Sequence, residues 1–145
     1  MTGYGIYYGL AKLTGSRLDI GPVDWATLTR HATPNDALVC PEGHCPKAKA
    51  DTLAKVYPLP AAALLARIKA IALSEPDTRE LDCAPNCERV ARILQVTRTM
   101  RFPDTIDVEV SPAGADATLA IYSRSGRRDF GVNRARVTRW LAALD

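Results

Sequence analysis

Nowhere does the sequence run apolar for long enough to cross a bilayer. A helical span needs about 20 consecutive apolar residues, and the best stretch, Ala61 to Ala66, is closed off by Arg67 and Lys69. No membrane span is therefore expected. Met1 to Leu10 is uncharged and rich in Gly and Tyr, yet it lacks the basic start and continuous apolar stretch of a secretory signal. If the protein is exported, its signal has been removed. Histidine is scarce: His31 and His44 are the two neutral-pH acid–base groups, each near turn residues with no serine or carboxylate motif around it, and a surface position is expected for both. There is no phosphate loop, no dinucleotide fingerprint, and no nucleophile-elbow context around Ser123. Aromatics number nine and no nucleic-acid-binding module is present. Low-complexity tracts and internal repeats are absent too. Together these gaps argue against nucleotide, acyl-transfer and nucleic-acid chemistry, and the reading leans away from an enzyme.

What remains is an ordinary globular composition, 47% hydrophobic and 24% charged over 145 residues. A chain of this length buries roughly 70% of its unfolded surface, which one core can accomplish. The net charge of +3 is unevenly placed. Residues 89–145 carry ten Arg against six acids, while residues 1–88 carry nine basic and ten acidic residues.

Residues 1–37 scatter apolar residues between turn formers such as Gly21-Pro22 and Pro34-Asn35-Asp36, which predicts an extended N-terminal arm with one short helical turn near Asp24 to Thr29. Residues 38–145 form the domain proper. Lys55-Val56-Tyr57 reads as a short strand. Beyond Pro60 the period becomes helical: Leu64, Leu65, Ile68, Ile71 and Ala72 gather on one face with Arg67 and Lys69 turned away, and the helix should stop at Ser74-Glu75-Pro76. Downstream the period becomes two. Ile106, Val108 and Val110 alternate with Asp107 and Glu109, the pattern of a strand with one wet face. Ala117, Leu119 and Ile121 repeat it after the turn Ser111 to Gly114, so a hairpin is expected.

Arg89 to Met100 is a third candidate strand, with Arg89, Arg92, Arg98 and Arg101 on its wet side or edge. The chain closes on a helix capped by Asn133, with Val137, Trp140, Leu141 and Leu144 as its stripe and Arg134, Arg136 and Arg139 on the sides away from it. The predicted fold is α+β: an antiparallel sheet of about four strands with two amphipathic helices on one face.

Three stretches resemble the bacterial domain-of-unknown-function family 1499: Cys40-Pro41-Glu42-Gly43-His44-Cys45 followed by Val56-Tyr57-Pro58-Leu59; Phe102 to Glu109; and Tyr122 to Arg136. The most specific part is the Asp-x-Gly-x-Asn-x-x-Arg core at Asp129, Gly131, Asn133 and Arg136, while just before it either Ser125 and Arg128 stand where the family pattern has an aliphatic residue and a serine, or the loop is shorter. The resemblance covers the chain from about residue 35 to the end. It implies a bacterial protein, often placed outside the cytoplasm behind an N-terminal hydrophobic segment, and no assigned activity.

Four cysteines stand in two close pairs, Cys40 with Cys45 and Cys83 with Cys87. They can be disulfides, a zinc site or buried thiols. The C-x4-C and C-x3-C spacings are not the tight knuckles of most structural zinc sites, and Pro41, Gly43 and Pro85-Asn86 suit tight turns, so two local disulfides are favoured. Neither a metal nor a cofactor is expected.

The arginine-rich stretch Ser123 to Arg136 has two readings. One is an anion-binding corner, in which Ser123, Arg124, Arg127, Asp129, Asn133 and Arg136 surround a glycine-containing turn at the start of the last helix. The other is a purely structural lattice, in which Asp129 and Asn133 fix the start of the helix, Gly131 supplies an unusual backbone angle, and Arg124 or Arg136 pairs with Asp129. The functional expectation is a non-catalytic, exported or membrane-tethered accessory domain on the periplasmic side of the inner membrane, binding a protein partner or an anionic small molecule through this element. A hydrolase-like enzyme using the same corner and a weak nucleic-acid binder are the alternatives.

Overall fold

A computed structural model describes residues 19–30, 35–98, 101–126 and 130–145. The elements run β1 (Asp36–Cys40), β2 (Thr52–Leu53), α1 (Ala61–Leu73), β3 (Thr78–Glu80), β4 (Val90–Val96), β5 (Pro103–Ala113), β6 (Asp116–Ser125) and α2 (Val132–Leu144). The fold is α+β as predicted, but the sheet has six strands in the order β2-β1-β6-β5-β4-β3 rather than about four. It is also not wholly antiparallel, since β1 pairs parallel with β2. Two short elements account for much of the difference, because strands of two or three residues carry no readable period. The stretch 55–57 contributes only an isolated antiparallel bridge from Tyr57 to Ala117. β1 opens at Asp36, within the stretch read as arm.

Both helices form where their apolar stripes lie. In α1, Leu64, Leu65, Ile68 and Ala72 are buried, and the helix ends at Ser74, two residues before Pro76. In α2, Val137, Trp140 and Leu144 are buried. Both stripes pack on one face of the sheet against Ile93, Ile106, Val108, Leu119 and Ile121, all fully buried. The hairpin turn is tighter than predicted: β5 runs on through Pro112 to Ala113, leaving only Gly114 and Ala115 outside the strands. Pro112 is tolerated there because the β4 pairing ends opposite Glu109, so that part of β5 has no paired strand on its other side among the described residues.

The second face is not wet. Leu38, Cys40, Cys45, Ala120 and Tyr122 form a smaller core there, covered by Val23, Trp25 and Leu28 from the N-terminal segment. Where a short turn of helix was expected, the described residues form a hydrogen-bonded turn from Thr27 N–H to the Asp24 carbonyl and no helix. Asp107, predicted to face solvent, is consequently buried, as is Arg92. Alternation correctly assigned Asp107 to the face opposite the main core; what it could not show is that residues 19–30 lie across that face.

Cys40 pairs with Cys45 and Cys83 with Cys87, the local connectivity. No helix among the described residues is long and apolar enough to cross a membrane.

Candidate functional site

Strand parity divides the arginine-rich stretch into two sites on opposite faces of the sheet. Ser123 and Ser125 continue the inward series Ala117, Leu119, Ile121 on β6, and Asp104 precedes Ile106 in the same phase on β5. Asp104 lies directly across from Ser125 and from Gln95 on β4. The first turn of α2 lies over this end of the sheet and inserts Asn133 and Arg136, three residues apart and therefore on one helix face.

The result is a closed polar island inside the main core. The Arg136 guanidinium, 1% exposed, donates from Nε to Gln95 Oε1 at 2.6 Å, from Nη1 to Asn133 Oδ1 at 2.7 Å and Ser123 Oγ at 3.0 Å, and from Nη2 to Asp104 Oδ2 at 2.7 Å. Ser123 Oγ donates to Asn133 Oδ1 at 2.6 Å, and Ser125 Oγ donates to Asp104 Oδ1 at 2.5 Å. Asn133 Nδ2 donates to Ser125 Oγ at 2.8 Å and to the Asn35 carbonyl at 3.1 Å. Gln95 passes the network on, donating to Glu75 Oε1 and Thr78 Oγ1. Burial alone would raise the Glu75 carboxyl, but the hydrogen bonds from Arg139 and Gln95 outweigh it and hold the group down at about 2.

Two expectations about α2 are corrected here. Asn133 is not the cap: Gly131 holds that position at φ 83°, the left-handed angle anticipated for it, and Asn133 lies one residue inside the helix, pointing into the sheet. Arg136 lies not on the solvent side but under the helix, because Asp104, Ser123 and Gln95 make the sheet polar where it meets the first turn. Arg134 and Arg139 do face outward, pairing with Asp51 and Glu75.

Arg124 belongs to the other face. Its guanidinium lies over the Tyr122 ring, 5.0 Å from the centroid, and Nη2 donates to the Gly21 carbonyl. Nη1 stands 3.3 Å from Asp107 Oδ2, close enough for an ion pair but without hydrogen-bond geometry, so that Oδ2 has no hydrogen-bond partner among the described residues. Asp107 Oδ1 instead accepts from Arg92 Nε at 2.7 Å, and Arg92 spans to both Asp19 oxygens at 2.6 Å. Burial pushes the Asp107 carboxyl above its ordinary value against the pull of Arg92 and Arg124. Burial likewise pulls the Arg124 guanidinium down, opposed by Asp107.

Beside Arg124 a cleft of about 430 Å³ opens between residues 20–29 and the end of β6, with Tyr122, Arg124 and Ser125 on one wall and Ile20, Val23 and Leu28 on the other. The predicted site residues are thus separated: Ser123, Asn133 and Arg136 meet in the closed island, Arg124 alone reaches the cleft, and Arg127 and Asp129 lie outside the described residues, as does Arg128. His31 also lies outside them. His44 is half-buried rather than on the surface, with Nε2 2.9 Å from Glu109 Oε1 and its ring 5.6 Å from that of Trp25.

Sequence reasoning missed Asp104, Gln95, Asp107, Asp36 and Asp51 as partners. The Arg30 guanidinium bridges Asp36 and Asp51, and Tyr122 Oη donates to Asp36 Oδ2 at 2.7 Å. Phase was an available signal for two of them, since Asp104 and Gln95 are polar residues in step with apolar stripes.

Two disulfides, a helix-locked sheet and a cleft with an arginine on its wall define a disulfide-stapled α+β domain of the kind that persists in oxidising compartments. Residues 28–144 match the family described as Protein of unknown function (DUF1499), and the chain belongs to that family. No curated protein and no solved structure matches it.

Proposed function

We propose that the chain is a non-catalytic accessory domain, exported or membrane-tethered on the periplasmic side of a bacterial inner membrane, which binds an anionic small molecule at Arg124. One observation carries this reading: Arg124 lies on the wall of the 430 Å³ cleft and, besides its ion pair with Asp107, donates a single hydrogen bond among the described residues, to the Gly21 carbonyl. A guanidinium presents five donors in a planar fork suited to carboxylate and phosphate oxygens, so donors remain for a ligand. The size of the cleft is within the range of small-molecule sites. The two disulfides support an extracytoplasmic setting.

Binding fits better than catalysis. The Ser123 and Ser125 hydroxyls are tied to Asn133 and Asp104 inside the island, with no imidazole beside either among the described residues. Binding also fits better than a nucleic-acid interface, because Arg92 and Arg136 are buried in ion pairs instead of forming a surface stripe.

The test is an NMR titration of the 15N-labelled protein with sodium phosphate and sodium acetate at low salt. Saturable shifts at the Arg124 side chain and residues 20–28, abolished in Arg124→Met, are expected. Shifts that persist unchanged in Arg124→Met would remove the reading.

A further inference from the structure

We infer that the Arg124 cleft accepts an amphiphile: a single carboxylate or phosphate head on Arg124, with a short alkyl chain laid against residues 20–28. This deepens the proposed anion site and rests on it. The two walls differ in chemistry. One carries the Arg124 guanidinium, backed by the Tyr122 ring; the other presents Ile20, Val23 and Leu28, with Asp24 and Thr27 among them. A head-only anion such as free phosphate leaves that second wall unused, whereas an alkyl chain covers the part of it, Ile20 above all, that water otherwise wets. Ile20 is 45% exposed, one of the few large apolar side chains that the fold leaves in solvent.

The wall is held rather than loose. At one end Asp19 grips Arg92 through both carboxylate oxygens, and the Ile20 N–H donates to Thr105 Oγ1 at 3.2 Å. At the other end Arg30 bridges Asp36 and Asp51. Between these anchors the segment leaves the cleft open beside Arg124, and its polar tie to the opposite wall among the described residues is the Gly21 carbonyl on Arg124. A ligand head can therefore join or replace that carbonyl without undoing either anchor. Asp107 Oδ2 pairs with Arg124 without forming a hydrogen bond and Asp107 has Arg92 as its hydrogen-bonded partner, so a ligand head can bond to Arg124 alongside that ion pair.

Chain length separates this inference from the simpler anion reading. Isothermal titration of the intact chain with sodium octanoate, sodium decanoate and decyl phosphate, all below their micelle concentrations, is the experiment, with acetate and inorganic phosphate as head-only probes. Two further buried methylenes should tighten decanoate over octanoate about tenfold. Arg124→Met should abolish binding of both. Ile20→Gln, at an exposed position where folding is not at stake, should weaken decanoate several-fold and leave acetate unchanged. Equal affinity for octanoate and decanoate, with Arg124-dependent acetate or phosphate binding intact, overturns the amphiphile and spares the anion site. Loss of all Arg124-dependent binding overturns both. Decanoate binding that survives Arg124→Met overturns the assignment of the head.

Discussion

Replacing Arg136 with Met tests whether the island beneath α2 holds the helix on the sheet. Arg136 is 1% exposed and Asp104 0%, so the substitution removes the guanidinium from Asp104 with almost no access for water to replace it. It also takes donors from Gln95, Ser123 and Asn133. Removing one member of a buried ion pair costs about 3–5 kcal/mol, set against a total stability of about 5–15 kcal/mol for a domain. At roughly 2–4 °C per kcal/mol for a chain near this size, Tm should fall by roughly 6–20 °C. Urea denaturation followed by tryptophan fluorescence is the assay, since Trp140 is fully buried one turn further along the same helix. The midpoint should drop at unchanged slope. Arg134→Met, at an exposed position on the same helix, should stay within about 0.5 kcal/mol of the parent. A loss below about 1 kcal/mol for Arg136→Met would refute the view of the island as a structural lock.

Other perturbations follow from the same geometry. Gly131 stands at φ 83° with open space where a side-chain carbon would project, so Gly131→Ala should cost about 1–2 kcal/mol through backbone strain alone, read by chemical denaturation. Because the Glu75 carboxyl is held at about 2, below its ordinary 4.5, its contribution is fully present above that ordinary value and is lost as pH falls from 4.5 towards 2. With half-exposed Arg139 as its main partner, solvent screening leaves about 1 kcal/mol, and Glu75→Gln should flatten the acid limb of a stability–pH curve by that amount. The Cys40–Cys45 pair is buried while Cys87 is exposed. Mild reductant followed by alkylation and mass spectrometry should therefore label Cys83 and Cys87 first, and each bridge, closing a loop of five or four residues, contributes about 2 kcal/mol by loop entropy.

The elements longest in period were the most legible. The stripe of Leu64, Leu65, Ile68 and Ala72, and the alternation from Ile106 to Val110, place α1 and β5 because their burial repeats often enough to set a phase. β2 and β3 are too short for that, and their existence depends on partners far away in sequence. The burial of Asp107 and Arg92 was hidden for a related reason: alternation reports which face a residue occupies, not what later covers that face. The site was half legible. Extending the inward phase of β5 back one step from Ile106 reaches Asp104, and extending that of β6 past Ile121 reaches Ser123 and Ser125, so polar residues closing two apolar stripes already mark an internal seam. That Arg124 turns away from Arg136 follows from the same alternation. The cleft does not, because its second wall comes from residues 19–30, whose placement depends on the tertiary pairs Asp19 with Arg92 and Arg30 with Asp36.

The central claim is that one short stretch serves two faces, with Ser123 and Arg136 holding the fold and Arg124 meeting a ligand. It is tested most directly by thermal unfolding of Ser123→Ala and Arg124→Met, each with and without sodium decanoate. Ser123→Ala should unfold earlier, by about 1–3 kcal/mol for the unmade buried hydrogen bonds, yet keep the full ligand-induced rise in Tm. Arg124→Met should keep most of its stability and lose the rise. If the rise vanishes in Ser123→Ala and survives in Arg124→Met, the division between the two faces is wrong.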